Sequence, residues 1–231
     1  MRKSYNERLF DGGLRKWLHL ARFRWLKSVF EKYRPSLSCV IELGCFDGRV
    51  LDYIPPPIRY FGYDANWEGG LDLALKRQSA NCQFFQCESP TQFANIKDDA
   101  TVFISLETLE HIPVSILDGY LRKLTSVING YVFITVPNEK GVLFAMKYVA
   151  KVMMGDAEKY SIKELFAAVL GKMNYVERCE HKGFDWEDLK KNLDQHFVPV
   201  EVSGVQFPRL PLWANPQIGM VFTSRAFKCA E

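Results

Sequence analysis

The sequence predicts an α/β protein on a doubly wound sheet of seven strands, mostly parallel with an antiparallel last strand, and helices on both faces. Three observations predict it. Seven short β-rich runs recur along the chain, and the first five are almost continuously apolar, as strands covered on both faces must be. Helix-compatible segments such as "GGLDLALKRQ" and "VSILDGYLRKLTSVI" fall between them, the alternation of a parallel sheet. The last two runs, "VPVEVSGVQF" and "GMVFTSRAF", are joined by the Pro-rich "PRLPLWANPQ", which has no room for a helix and so favours antiparallel neighbours.

The elements follow in order. Phe10, Leu14, Trp17, Leu18, Ala21, Trp25 and Val29 recur at three- and four-residue spacing, the pattern of an amphipathic helix. This helix belongs to a basic segment, residues 1–37, ahead of the main domain at 38–231. Residues 1–34 hold ten Lys or Arg against three Asp or Glu, whereas the other 197 residues carry 20 basic and 24 acidic. Such a segment packs on the domain with a solvated basic face, meets an anionic substrate, or touches a membrane surface. After Pro35 come the strand runs "SCVIEL", "RYFGYD", "CQFFQC", "TVFISL" and "YVFITV". Residues 140–180 break the rhythm and read as a mostly helical insertion.

Composition bounds the class. A hydrophobic content of 48% and a charged content of 25% in 231 residues suit one globular domain, with roughly 70% of the unfolded surface buried on folding. Cys39, Cys45, Cys82, Cys87, Cys179 and Cys229 form no CxxC pair, and several lie in apolar runs, which favours a reducing compartment over disulfides or a zinc site. No apolar leader core and no membrane-length apolar run is present, so the expected location is cytoplasmic.

The stretch "VIELGCFDGRV" is the most informative. A strand carrying Glu42 runs into glycines at 44 and 48, with a helical pattern expected behind them. Glycines at a strand exit let backbone approach a ligand, and a helix start offers free N–H groups. About twenty residues on, "YFGYD" ends in Asp64, placed to accept both hydroxyls of a ribose. A nucleoside ligand follows. Phe46 and Arg49 break a GxGxxG fingerprint, and neither a phosphate-loop GxxxxGK[ST] nor a GxSxG elbow occurs.

Taken together, "VIELGCFDG", "YFGYD", "FFQCES" and "ISLETLEHIP" followed by "VFITVPNE" resemble the class I S-adenosylmethionine-dependent methyltransferases, within the subgroup marked by a Leu-Glu-His signature after strand four. The resemblance spans roughly 38–138 and 181–227 and implies a Rossmann-like sheet with S-adenosyl-L-methionine as cofactor. By it, Glu42, Gly44, Cys45 and Gly48 hold the methionine end, and Asp64, with Ala65 beside it, holds the ribose. Glu88 and Ser89 flank the adenine, while Ser105 and Leu106 line the pocket below the sulfonium. One departure stands out: Phe46 occupies a position where the family usually has glycine, so its ring must turn away from the cofactor or pack over it.

For the chemistry the candidates are Glu107, Glu110, His111 and His181. On a helical turn the first three would share a face, and two carboxylates with two imidazoles would suffice for a divalent cation. The layout is also similar to small-RNA 2′-O-methyltransferases and, more loosely, to catechol O-methylating quinone-biosynthesis enzymes. Unassisted base catalysis by His111 or His181, and purely structural roles, are the competing readings. The insertion "GVLFAMKYVAKVMMGDAEKY", apolar but carrying Lys147, Lys151 and Lys159, suits a lid over an apolar or lipid-linked acceptor with an anionic group. A net charge of only +3 makes a broad nucleic-acid footprint the weaker expectation. The expected function is methyl transfer, O-directed, to a small, lipid-linked or glycan-linked acceptor. The rivals are an RNA ribose methyltransferase and a non-catalytic binding protein on the same fold.

Overall fold

The computed structural model describes residues 13–94, 100–153, 160–178 and 182–227. Helix α1 (Gly13–Tyr33) leads into β1 (Val40–Leu43), β2 (Tyr60–Asp64), the short α2 (Leu71–Leu75), β3 (Cys82–Gln86) and β4 (Ala100–Leu106). Then come α3 (Val114–Thr125), β5 (Ile128–Pro137), α4 (Gly141–Met153), α5 (Ile162–Val169), α6 (Trp186–His196), β6 (Phe197–Gly204) and β7 (Gln217–Ser224). The seven strands lie in the order β3-β2-β1-β4-β5-β7-β6. The first five are parallel, and β7 inserts between β5 and β6, antiparallel to both. The connection reverses direction between β1 and β4, so a crevice opens beyond the carboxyl ends of those two strands.

Both faces of the sheet are covered, which is why its central runs read as continuous apolar sequence. All four residues of β1 are buried. Phe103, Ile134, Leu121 and Leu193 belong to the core under α3 and α6, and Leu26, Phe30, Val40 and Phe133 to the core under α1. Helix α1 is fixed by shape as well as by area. The Trp25 ring lies on Gly219, where an added Cβ would come within 2.3 Å of it, and its Nε1 donates to Ser203 Oγ at 3.1 Å. Phe30 packs on Phe133 with ring centroids 4.9 Å apart. Arg34, at φ 47°, followed by Pro35, ends the helix.

The buried surface of α1 is wider than the stripe expected for it. Phe23, Leu26 and Phe30 join Ala21, Trp25 and Val29 inside, while Trp17 is exposed and Phe10 lies outside the described residues. The reason is that α1 is clamped on two sides, by the sheet and by the segment after β1, where Phe23 stacks on Tyr53 at 4.9 Å. That segment also departs from expectation: instead of a helix behind Gly48 there is a single 3₁₀ turn, Arg49–Asp52. Three prolines at 55–57 leave no room to propagate a helix.

Between β5 and α6 the chain builds α4, α5 and a 3₁₀ turn at Met173–Tyr175 around a small core of Phe144, Ala167, Ala168, Met173 and Val176. A capping box, Ser161 with Glu164, starts α5. Cys39, Cys45, Cys82 and Cys87 are free thiols; Cys179 and Cys229 lie outside the described residues. Among the described residues no helix is long and apolar enough to cross a membrane.

Candidate active site

The crevice at the switch point has two halves. The first is made by the loop after β1. Gly44, Phe46 and Gly48 all adopt left-handed backbone, at φ 81°, 48° and 71°. Glycine tolerates this freely, whereas at Phe46 it costs about 1–2 kcal/mol. Gly44 has no alternative, because a Cβ there would sit 1.9 Å from Thr108 Oγ1. Asp64, at the end of β2, holds the loop: Oδ2 accepts from the Phe46 N–H at 2.8 Å and Oδ1 from the Asn66 N–H at 2.7 Å. The Phe46 ring turns onto Gly70, where an added Cβ would meet it at 2.3 Å. It therefore bridges the two loops that frame the crevice and still forms part of its wall.

A shallow cleft lies at this loop, lined by Arg22, Phe23, Glu42, Gly44, Cys45, Phe46, Asp47, Arg49, Val50 and Leu106. Its floor is Glu42, 2% exposed, which accepts a hydrogen bond from the buried Tyr60 hydroxyl. Burial pushes the Glu42 carboxyl from 4.5 to about 8, against the opposing pull of that bond and of Arg22. Asp47 is held aside by Arg49, whose Nη2 lies 2.7 Å from its carboxylate. Arg22 enters from α1. Its Nε is buried without a hydrogen-bond partner, and its charge acts on Glu42, Glu107 and Glu110 together.

Ala65 follows Asp64, and Glu88 and Ser89 follow β3, whose Gln86 is in register with Asp64. Glu88 is exposed and accepts from Gln86 Nε2 at 2.7 Å. Ser89 Oγ lies 2.9 Å from Thr91 Oγ1. At the end of β4 the expected pair separates. Leu106 lines the cleft, but Ser105, one residue earlier, points to the other face of the sheet, as strand alternation dictates.

The second half is formed by the ends of β4, β5 and β7. Glu107 takes left-handed backbone, φ 57°, directly after β4, and Leu109–His111 form a 3₁₀ turn. The expected common face of Glu107, Glu110 and His111 is not formed. Glu110 is 2% exposed while His111 faces solvent, because a tight three-residue turn entered from a left-handed residue does not keep α-helical i, i+4 spacing. His181 lies outside the described residues. Among the described residues no three His, Cys, Asp or Glu side chains gather in a metal-binding group.

What gathers instead is acid. Both carboxyl oxygens of Glu110 and Oε1 of Glu107 are buried without a hydrogen-bond partner. Burial raises the pKa of both, and Glu107 raises that of Glu110 further by like-charge repulsion. Arg22, Lys147 and a hydrogen bond from Gln217 oppose the shift at Glu107. Glu139, 4% exposed, pairs with Lys147 at 2.5 Å. Lys147, itself partly exposed, thus has a carboxylate of the protein as partner. Lys159 and the Lys151 side chain lie outside the described residues.

Arg22 and Gln217 escape a motif-based reading. Arg22 had a signal: it shares one helical face with Leu26 and Val29, both buried, so a charge interrupts an apolar stripe. Gln217 had none, since only the strand order brings it to Glu107; Glu139 lies in "VFITVPNE", though that motif alone gives it no role.

No family model matches the chain, and no curated protein matches it. Solved structures do. An S-adenosylmethionine-dependent methyltransferase from Clostridium acetobutylicum superposes with a TM-score of 0.63 at 11% identity over 95% of this chain and 98% of that one. The methyltransferase domain of a bacterial Hen1 gives 0.59 at 15% identity over 89% and 99%. Magnesium protoporphyrin IX methyltransferase from Synechocystis, solved with SAH bound, gives 0.59 at 12% identity over 94% and 92%. With the strand order and the reversed β7, these similarities establish that the chain has the fold of S-adenosylmethionine-dependent methyltransferases.

Proposed function

We propose that the protein transfers a methyl group from S-adenosylmethionine to an oxygen of a small, lipid-linked or glycan-linked acceptor. One observation carries the reading: Glu42, Arg22 and Asp64 converge on the Gly44–Gly48 loop at the switch point of the sheet. The residues present fit the cofactor. Arg22 brings a buried N–H in need of a partner to a cleft whose other cation, Arg49, is paired with Asp47, which suits the methionine carboxylate. Glu42, opposite, suits the ammonium. Each Asp64 oxygen already accepts one backbone N–H, but a carboxylate has about four lone-pair sites. It can therefore accept both ribose hydroxyls and keep the loop in place.

When bound, the cofactor supplies a methyl group already activated on a sulfonium. The chain must position the acceptor in line and exclude water, worth roughly 7–11 kcal/mol, and take one proton. In this reading that proton is taken by Glu107, which follows cleft-lining Leu106 at the end of β4 and is raised in basicity by burial. Glu110 positions it by repulsion and is too enclosed to touch an acceptor itself. Base catalysis of this kind contributes roughly 10²–10⁴-fold. A metal-assisted RNA ribose methyltransferase would draw on the same two glutamates, but His111 facing solvent does not join them.

The test is incubation with methyl-labelled S-adenosylmethionine and separated lipid, glycan and RNA extracts. Label in a lipid or glycan fraction, stable as an ether, is the expected result. Label removed by ribonuclease would favour the RNA reading. A protein that binds the cofactor and labels nothing would be the non-catalytic alternative.

A further inference from the structure

We infer that α4 and α5 form a docking face for an anionic membrane surface. Helix α4 exposes Met146, Val149 and Val152 at three-residue spacing, and α5 with its C-terminal neighbour exposes Ile162, Phe166 and Leu170 at four-residue spacing, all more than half exposed. The opposite sides of these helices are spent on each other, through Phe144, Tyr148, Tyr160, Ala167 and Ala168. Each helix is therefore apolar on two sides, which a helix facing only water is not. Exposed apolar side chains in a repeating stripe, rather than scattered singly, mark a surface that meets an apolar partner.

Charge selects the occupant. Lys163 and Lys172 are exposed beside the α5 stripe, whereas the acid within α5, Glu164, is already paired with Lys182 at 2.8 Å. A second copy meeting this face about a two-fold axis would set lysines against lysines. A bilayer with anionic headgroups accepts the apolar stripes and neutralises the lysines at once. Lys147, on the side of α4 away from this stripe, is bonded to Glu139, so the helix that carries the stripe also packs on the β5 end of the crevice with its other side.

The experiment is sedimentation of the whole protein with phosphatidylcholine vesicles, with and without phosphatidylglycerol. The expected result is binding to the anionic vesicles that falls at least about tenfold in Val149→Asp/Phe166→Asp. Lys163→Glu/Lys172→Glu should lose the preference for phosphatidylglycerol. Both variants should keep the wild-type melting temperature; if the first does not, Ile162→Asp alone gives the same readout. Three results would overturn the inference. The wild type could ignore both kinds of vesicle. The apolar variants could bind like the wild type, which would place the contact elsewhere, as in the basic residues 1–34. Or the wild type could be a dimer that Val149→Asp/Phe166→Asp dissociates, which would assign the face to a second copy.

Discussion

The two halves of the crevice are built on opposite principles. At the β1–β2 end the work is done by backbone: left-handed glycines, a loop pinned by Asp64, and carboxylates that mostly have partners. At the β4–β5 end it is done by side chains, and three buried carboxyl oxygens of Glu107 and Glu110 have no partner at all. An unsatisfied buried polar group costs about 1–3 kcal/mol, so stability alone would have removed this arrangement. The contrast is between a half whose polar groups are mostly satisfied within the protein and a half that leaves buried carboxyl oxygens unpaired, which is what the proposed division between cofactor binding and proton transfer rests on.

The comparison can be broken by substitutions on either side. The largest effect is expected at Glu107→Gln. Methyl transfer should fall roughly 10²–10⁴-fold, with S-adenosylhomocysteine affinity within twofold of wild type. Turnover and titration on the same preparation would check it, and an equal loss of both would merge the two halves. Arg22→Ala comes next. Losing a charge-assisted partner of the methionine carboxylate should weaken S-adenosylhomocysteine by roughly 10–100-fold.

Glu42→Gln acts through pH. The wild-type carboxyl titrates near 4.5 when unfolded and near 8 when folded. Between those values the native state binds more protons, so ionisation progressively destabilises it as pH rises from about 4.5 to about 8. The variant should therefore melt higher than wild type above pH 8, by roughly 5–10 °C, and the gap should close on acidification. Calorimetric scans across pH would show it, and a constant gap would mean that Glu42 does not titrate in the fold. Phe46→Gly is the smallest. It relieves left-handed strain but strips a ring from Gly70, so cofactor affinity should move less than about fivefold. A larger gain would show that the ring obstructs the site.

The same division explains what could be read from the sequence. All seven strands were legible, the central ones such as "CVIEL" and "VFITV" because doubly covered strands must be apolar throughout, and the largely exposed edge strand β6 through its β-branched run and its Pro-rich connection to β7. The loop after β1 was legible for a related reason: its left-handed glycines and the strand-end Asp64 that holds it are demanded by local geometry and sit close together in the chain. The turn carrying Glu110 was not. Its residues were quoted, but a left-handed Glu107 broke the helical spacing that would have aligned Glu110 with His111. Arg22 and Gln217 reach the crevice from α1 and β7, and no short-range pattern records a meeting between such distant segments.

The most direct measurement is a calorimetric titration of S-adenosylhomocysteine into wild type, Asp64→Ala and Glu107→Gln. The account predicts micromolar binding to wild type, a loss of at least about tenfold in Asp64→Ala, and no change in Glu107→Gln. Absence of binding to the wild type, or an equal loss in both variants, would contradict it.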